Sequence, residues 1–242
     1  MTEQLKNLWH LAFGDGMEFI ELFFRTAYSP HRCLYLEENG QITAALYWLD
    51  CEYRGQKHAY IYAVSTHPEH RGKGLCRRLM DKTHALLTGQ GYTAALLRPA
   101  DDSLRRMYRK MGYRDATWVS EFDCSATEAI PIRRLDEEEY ARLRRLYLPE
   151  DGVLQEGVSL TYLAAYAELY AGEDFLLAGI REDDCFFGLE LLGSREAAPG
   201  ILSALGCQEG RFRCPGPELP FGMFLPLTEG AKEPGYLGLV FD

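Results

Sequence analysis

At 242 residues, with 47% apolar and 12% aromatic side chains, the chain has the material for two packed domains, which excludes wholesale disorder. No apolar run approaches the roughly 20 residues needed to span a bilayer, and the start Met-Thr-Glu-Gln-Leu-Lys lacks a basic segment leading into an apolar one, so neither a membrane span nor a secretory signal is expected. The net charge of −10 conceals a basic block: residues 71–114 carry eleven Lys/Arg against three Asp/Glu, whereas residues 1–70 carry five against nine and residues 125–242 ten against twenty-one. A nucleic-acid binder is more often basic across a whole domain, and a compact block suits a small polyanion. The seven cysteines (33, 51, 76, 124, 185, 207, 214) are scattered without C-x-x-C spacing. They fit reduced cytoplasmic thiols better than a disulfide framework or a zinc site.

Apolar spacing predicts helices over 3–13 and 15–27, separated by Gly14-Asp15-Gly16. Strands follow at 31–36 and 42–51, joined at Asn39-Gly40, and a third at 58–66 after Arg54-Gly55. In that third strand Tyr60, Tyr62, Val64 and Thr66 share one face. The sequence His67-Pro-Glu-His-Arg-Gly-Lys-Gly-Leu-Cys76 then enters a helix running to about Thr88. Glycines there let several backbone N–H groups face one anion, and the helix N-terminus adds its free donors and positive dipole. Arg71 and Lys73 add full charges, and Arg77, Arg78 and Lys82 follow on the helix. A buried strand at 92–98, a helix capped by the run Pro99-Ala100-Asp101-Asp102-Ser103 and running through Met111, and a strand at 113–123 complete a strand–helix–strand unit with a parallel pair.

Composition shifts at Ser125-Ala126-Thr127, giving domains of 1–124 and 125–242. In the second, Ile130–Leu135 reads as a strand, 136–147 and 158–171 as helices, and 175–180 and 185–192 as strands. The Gly/Pro-rich tail still carries apolar patches and reads as part of a packed second lobe. No second glycine cradle is present.

The loop fails two nucleotide-binding patterns. A P-loop needs Ser or Thr after its Gly-Lys, and Lys73 is followed by Gly74; the dinucleotide fingerprint needs a third glycine where Arg77 stands. Arg71-Gly72-Lys73-Gly74-Leu75-Cys76 instead resembles the R/Q-x-x-G-x-G/A pyrophosphate loop of the GNAT N-acetyltransferase superfamily. Val64-Ser65-Thr66 precedes it as in that family, and Met107-Tyr108-Arg109-Lys110-Met111-Gly112-Tyr113 resembles the family's L-Y-x-K-x-G-F segment. The similarity covers about 17–123. Cys76 replaces the usual Gly or Ala, and Asp101 lies near a position where relatives carry a cofactor-contacting Asn.

The resemblance implies a mixed, mostly antiparallel twisted sheet flanked by helices, with a second smaller α/β lobe that follows the general order of a degenerate copy. It also implies acetyl-CoA as co-substrate, held by Val64, Ser65, Thr66, Arg71, Gly72, Lys73, Gly74, Leu75 and Cys76. A backbone N–H at about Val64 would polarise the thioester, and Tyr108 would act as general acid toward the CoA sulfur. The acceptor is expected to be a small-molecule or peptide amine, with a homodimer as a further expectation and no nucleic acid, membrane or metal; His67 and His70 have ligand-like spacing but no third partner. The general base stays open among Asp50, Glu52 and Glu69, or a water ordered by Tyr60 or Tyr62. A non-catalytic acyl-CoA-binding module is the alternative function, and single-strand binding on Tyr92, Tyr108 and Tyr113 a more distant one.

Overall fold

Two-residue reversals set the frame of the first sheet. Asn39-Gly40 (φ 52° and 79°) and Arg54-Gly55 (φ 50° and 75°) both follow the type I′ pattern, whose twist matches that of antiparallel strands. The computed structural model describes residues 1–241 and divides into two compact units. One is Met1–Arg114 with Met223–Glu233; the other is Asp115–Gly222 with the segment from Pro234.

In the first unit, α1 (Thr2–Phe13) and α2 (Met17–Thr26) precede β1 (Cys33–Glu38), β2 (Gln41–Tyr53) and β3 (Gln56–Thr66). A crossover helix, α3 (Leu75–Gly89), leads to β4 (Ala94–Leu97), parallel to β3, and α4 (Asp102–Arg109) follows. A return strand, Met223–Pro226, pairs antiparallel with β4. The stripe Leu75, Leu79, Met80 and Leu87 of α3 packs against Leu46, Trp48, Ala59 and Ile61, with Tyr108 of α4 closing the same core. Each fully buried aliphatic side chain contributes about 1.5–3 kcal/mol. On the opposite face α1 and α2 bring Trp9 and Phe23 against Tyr47 and Tyr62, with ring centroids 5.1–5.5 Å apart.

After the two-residue β5 (Arg114–Asp115), the second unit contains β6 (Trp118–Ser125), β7 (Arg133–Arg134), α5 (Glu137–Tyr147), β8 (Leu154–Gln155), α6 (Val158–Tyr166), β9 (Glu168–Ala171), β10 (Phe175–Glu182), β11 (Cys185–Gly193), α7 (Ala198–Leu205), β12 (Glu209–Pro215) and β13 (Leu219–Pro220). Its sheet runs β13-β6-β12-β11-β10-β9-β7, with β11 and β12 parallel. Apart from the two-residue β8 between α5 and α6, helix–helix–three strands–helix–strand therefore occurs twice in the chain. In both copies an antiparallel strand from outside that run lies beside the last one. The fold class expected from the sequence is the one observed.

Several elements differ from expectation. The helix predicted over 158–171 ends at Tyr166, because residues 168–171 join the β ladder, Ala171 opposite Leu176 and Tyr170 opposite Leu177. The strand at 113–123 splits into β5 and β6. The strand read over 130–135 shortens to Arg133–Arg134, which lies within the second unit after β6 and pairs with β9. In the Gly/Pro-rich tail Pro199, which lacks an N–H and so suits a first helical turn, lies in the first turn of α7, and two short strands and the return strand follow. The units part at Arg114/Asp115 and exchange the segment Met223–Glu233, whereas composition shifts only at Ser125.

Polar burial holds each unit to its geometry. In the second, Arg144 makes bidentate contact with Glu190 (2.7 and 2.9 Å), and Tyr140 and Tyr236 donate to the same carboxylate (3.0 and 3.2 Å). In the first, His58 is fully buried with neither ring nitrogen hydrogen-bonded. Burial pushes it down from 6.5 to about 4. Between those values the unfolded chain binds a proton that the folded chain refuses, so His58 makes stability fall as pH drops through that window. His58→Leu should reduce the loss of unfolding free energy between pH 7 and pH 4.5 by about 2–3 kcal/mol, measured by urea denaturation of the intact chain. An unchanged pH dependence would show that the imidazole finds a partner.

Candidate active site

The end of β3 and the start of α3 enclose a backbone cradle. The His67 N–H donates to Thr43 O (2.8 Å), a 3-10 turn covers Pro68–His70, and Gly72 and Gly74 then take left-handed backbones, φ 75° and 73°. Left-handed φ, not lack of space, calls for glycine here, since a Cβ at either position would meet nothing within 4 Å. Gly74 is the N-cap of α3, and no side chain caps the helix. The first-turn N–H groups of Leu75, Cys76 and Arg77 therefore face outward without an intrahelical partner. This donor set fits a pyrophosphate.

Side chains around the cradle divide between charge and framework. Lys73 is exposed. Arg71 donates to Thr66 O (3.4 Å) and Ala12 O (3.3 Å), tying the loop to β3 and to the last turn of α1. Arg77 sends two N–H groups to Lys110 O, each at 3.2 Å, and Arg78 lies 3.7 Å from Glu38. Leu75 is buried, and Ser65 Oγ donates to Ala45 O (3.1 Å).

Beside this loop the sheet opens. Parallel pairing of β3 with β4 stops at Tyr60 opposite Leu96, while β3 stays paired with β2 as far as Thr66. Between Tyr62 and Ser65 the register slips by one residue, with Ala63 at φ 47°. This bulge turns Val64 onto the α3 face, where it packs with Ala59 and Ile61. Strict alternation would have left it with Tyr60 and Tyr62. Residues 61–66 thus keep one backbone edge free of β4.

Tyr108 stands on α4, whose N-terminus is capped by Asp101 Oδ1 accepting from Leu104 N–H (2.7 Å). Its ring meets Tyr113 edge-on (5.8 Å), Cys76 packs against the same cluster, and Tyr113 Oη lies 2.9 Å from His84 Nε2. Burial first, then Cys76, pushes the Tyr108 phenol well above its usual range. Burial also pushes the Cys76 thiol up to about 11.

Residues 1–116 match the family model for the acetyltransferase (GNAT) domain. The first unit is a GNAT domain. No curated protein matches the sequence. Among solved structures, a GCN5-related N-acetyltransferase from Anabaena variabilis is 16% identical at a TM-score of 0.70, covering 93% of this chain and 70% of its own. One from Kribbella flavida is 17% identical at 0.64, with coverage of 92% and 67%. A tandem GNAT protein from the clavulanic acid biosynthesis pathway is 12% identical at 0.57, covering 95% and 96%. At these identities the likeness is one of fold, and in each case it spans both units.

Within the GNAT domain two of the carboxylates considered as bases, Asp50 and Glu52, stand toward the Arg54-Gly55 hairpin and away from the cradle. Asp50 lies opposite Ala59 toward the far hairpin, accepts from Tyr92 and pairs with Arg32 (3.5 Å). Glu52 lies opposite Lys57, nearer still to that hairpin, and Glu69 is exposed on the 3-10 turn. Tyr60 and Tyr62 stack at 6.2 Å on the α1 side. A further carboxylate not singled out from the sequence, Asp15, accepts from the Trp9 indole N–H (2.7 Å), and Trp9 packs on Tyr62. Its signal was the Gly14-Asp15-Gly16 break between two helices. Gly74→Val should weaken CoA binding at least about tenfold, because a β-branched residue resists left-handed φ; calorimetric titration checks this against an unchanged far-ultraviolet spectrum.

Proposed function

We propose that this chain is an N-acetyltransferase that moves an acetyl group from acetyl-CoA directly to a primary amine. The observation carrying this is the coincidence, within one GNAT domain, of the open β3 edge, the uncapped α3 N-terminus and Tyr108. When bound, acetyl-CoA supplies an acyl carbon activated as a thioester. The first-turn N–H groups of α3, with Gly72, Lys73 and Gly74, hold the pyrophosphate; Arg71 fixes the loop that presents them. The strand segment Val64-Ser65-Thr66 aligns the pantetheine arm by its free backbone edge, and a donor near Val64 polarises the thioester carbonyl. Preorganised donors of this kind contribute about 2.7–4 kcal/mol. The amine attacks neutral, an N–C bond forms as the C–S bond breaks, the nitrogen's surplus proton passes to solvent water, and the sulfur leaves as a thiolate met by Tyr108. A phenol held above the range of a thiol, about 8.5, stabilises a thiolate chiefly by donating a hydrogen bond.

Tyr108→Phe should therefore lower kcat about a hundredfold or more while the Kd for CoA stays within about twofold, read by thiol release and by titration. Unchanged turnover would remove Tyr108 from the chemistry. Intact CoA binding with no turnover of any amine by the unmodified protein would favour an acyl-CoA-binding module.

The second unit supports the same reading as a GNAT-like copy that has lost its cradle. Where Gly74 caps α3, Ala197 caps α7 with ordinary right-handed φ, and Pro199 removes a first-turn N–H. In the preceding turn Ser194 Oγ donates to Glu196 (3.1 Å), placing a carboxylate where an anion would have to bind. Calorimetry should accordingly give one CoA per chain; a stoichiometry near two would overturn this assignment. Seven free thiols suit a reducing cytoplasmic compartment, and no helix among the described residues is long and apolar enough to cross a membrane.

A further inference from the structure

Asp15 sits immediately before Gly16, the N-cap of α2, and no side chain bonds the first turn of that helix. The Asp15 carboxylate turns back to the Trp9 indole N–H (2.7 Å), and its backbone carbonyl meets His10 Nδ1 (2.8 Å). Two contacts place this loop beside the proposed site. Arg71 of the cradle donates to Ala12 O, three residues before Asp15. Trp9 packs against Tyr62 (5.4 Å), two residues before Val64 on the opened part of β3.

The flanks of Asp15 are apolar and exposed. Phe13 is 49% and Met17 36% exposed, and the Phe13 ring meets Trp9 edge-on at 6.3 Å. A half-buried carboxylate with an aromatic and a thioether side chain beside it suits a cation carried on an aliphatic stem. Asp15 is linked to the Val64 segment only through Trp9 and Tyr62, whereas direct proton transfer requires about 2.6–3.2 Å. Asp15 is therefore placed to hold a second charge rather than to deprotonate the attacking nitrogen.

We propose that Asp15 binds the distal ammonium of a diamine-type acceptor, making the substrate class a linear aliphatic amine with a second positive charge. This rests on the N-acetyltransferase reading above. Asp15→Asn tests it cleanly, because the amide oxygen still accepts from Trp9 and only the charge is lost. The probes are putrescine and butylamine, which share a four-carbon stem. With CoA present, the unmodified protein should bind putrescine about tenfold more tightly than butylamine, the scale of one partly desolvated charge pair. In the Asn variant that preference should vanish through a raised KM for putrescine, with kcat, the CoA Kd and the thermal midpoint unchanged, and Asp15→Glu should restore part of it. Equal binding of the two amines by the unmodified protein, or an Asn variant that keeps the preference, overturns the assignment and leaves Asp15 as the partner of Trp9 alone. Failure of the unmodified protein to bind CoA would instead overturn the acetyltransferase reading.

Discussion

The separation of β3 from β4 is the constraint on which the rest of the first unit depends. Two parallel strands that stayed paired to their ends would bury the backbone groups needed to align an extended ligand. Here pairing stops at Tyr60, and a bulge at Ala63 redirects the strand from Val64 onward. A left-handed alanine costs roughly 1–2 kcal/mol. It is held from both sides, by Tyr62 opposite Tyr47 and Ser65 opposite Ala45. The Ser65 hydroxyl and the His67 N–H then fasten the strand to β2 at Ala45 and Thr43. With β3 secured on one side, its other edge stays open and α3 begins beside it.

The second unit shows what the same order of elements becomes when different residues occupy the corresponding places. Its parallel pair also ends early, at Gly188 opposite Phe212, and its strand β11 also slips register, between Gly188 and Glu190. There the residue after the slip is Glu190, neutralised by Arg144 and bonded by two tyrosines. Breaking such a buried pair by removing one partner costs about 3–5 kcal/mol, so the position serves stability. A Cβ on Gly238 would approach Glu190 Oε1 to 1.7 Å, so the C-terminal segment is packed directly over that network.

Local chemistry made much of this legible. Asn-Gly and Arg-Gly reversals and the glycine entry to α3 are encoded within a few neighbouring residues, and each lies where the sequence indicates. Distant partners were not legible. The helix at 158–171 loses its last turn to pairing with β10; the return strand finds β4 more than a hundred residues away in sequence; Val64 changes face because of a bulge that no alternation pattern reveals. The carboxylates near the far hairpin looked available because Arg32 and Tyr92, the partners of Asp50, are remote in sequence. Asp15 was overlooked because its meaning lies in a side chain that turns away from the helix it precedes.

The basic block reads differently once its contacts are known. A local excess of Lys and Arg suggests a site built from side-chain charge, yet Arg77 is spent on the Lys110 carbonyl at the end of α4, Arg71 on carbonyls of β3 and α1, and Arg78 is drawn toward Glu38. These arginines act as struts. They join the cradle to the helix that carries Tyr108 and to the turn that leads into Asp15. What remains for the anion is largely backbone: first-turn N–H groups and two left-handed glycines. Fixed backbone donors lose no rotamer freedom on binding and, being directional, select for the position of a phosphate as well as its charge. The same side chains that would merely attract a polyanion are thus committed to placing the cradle, the phenol and the carboxylate within one unit.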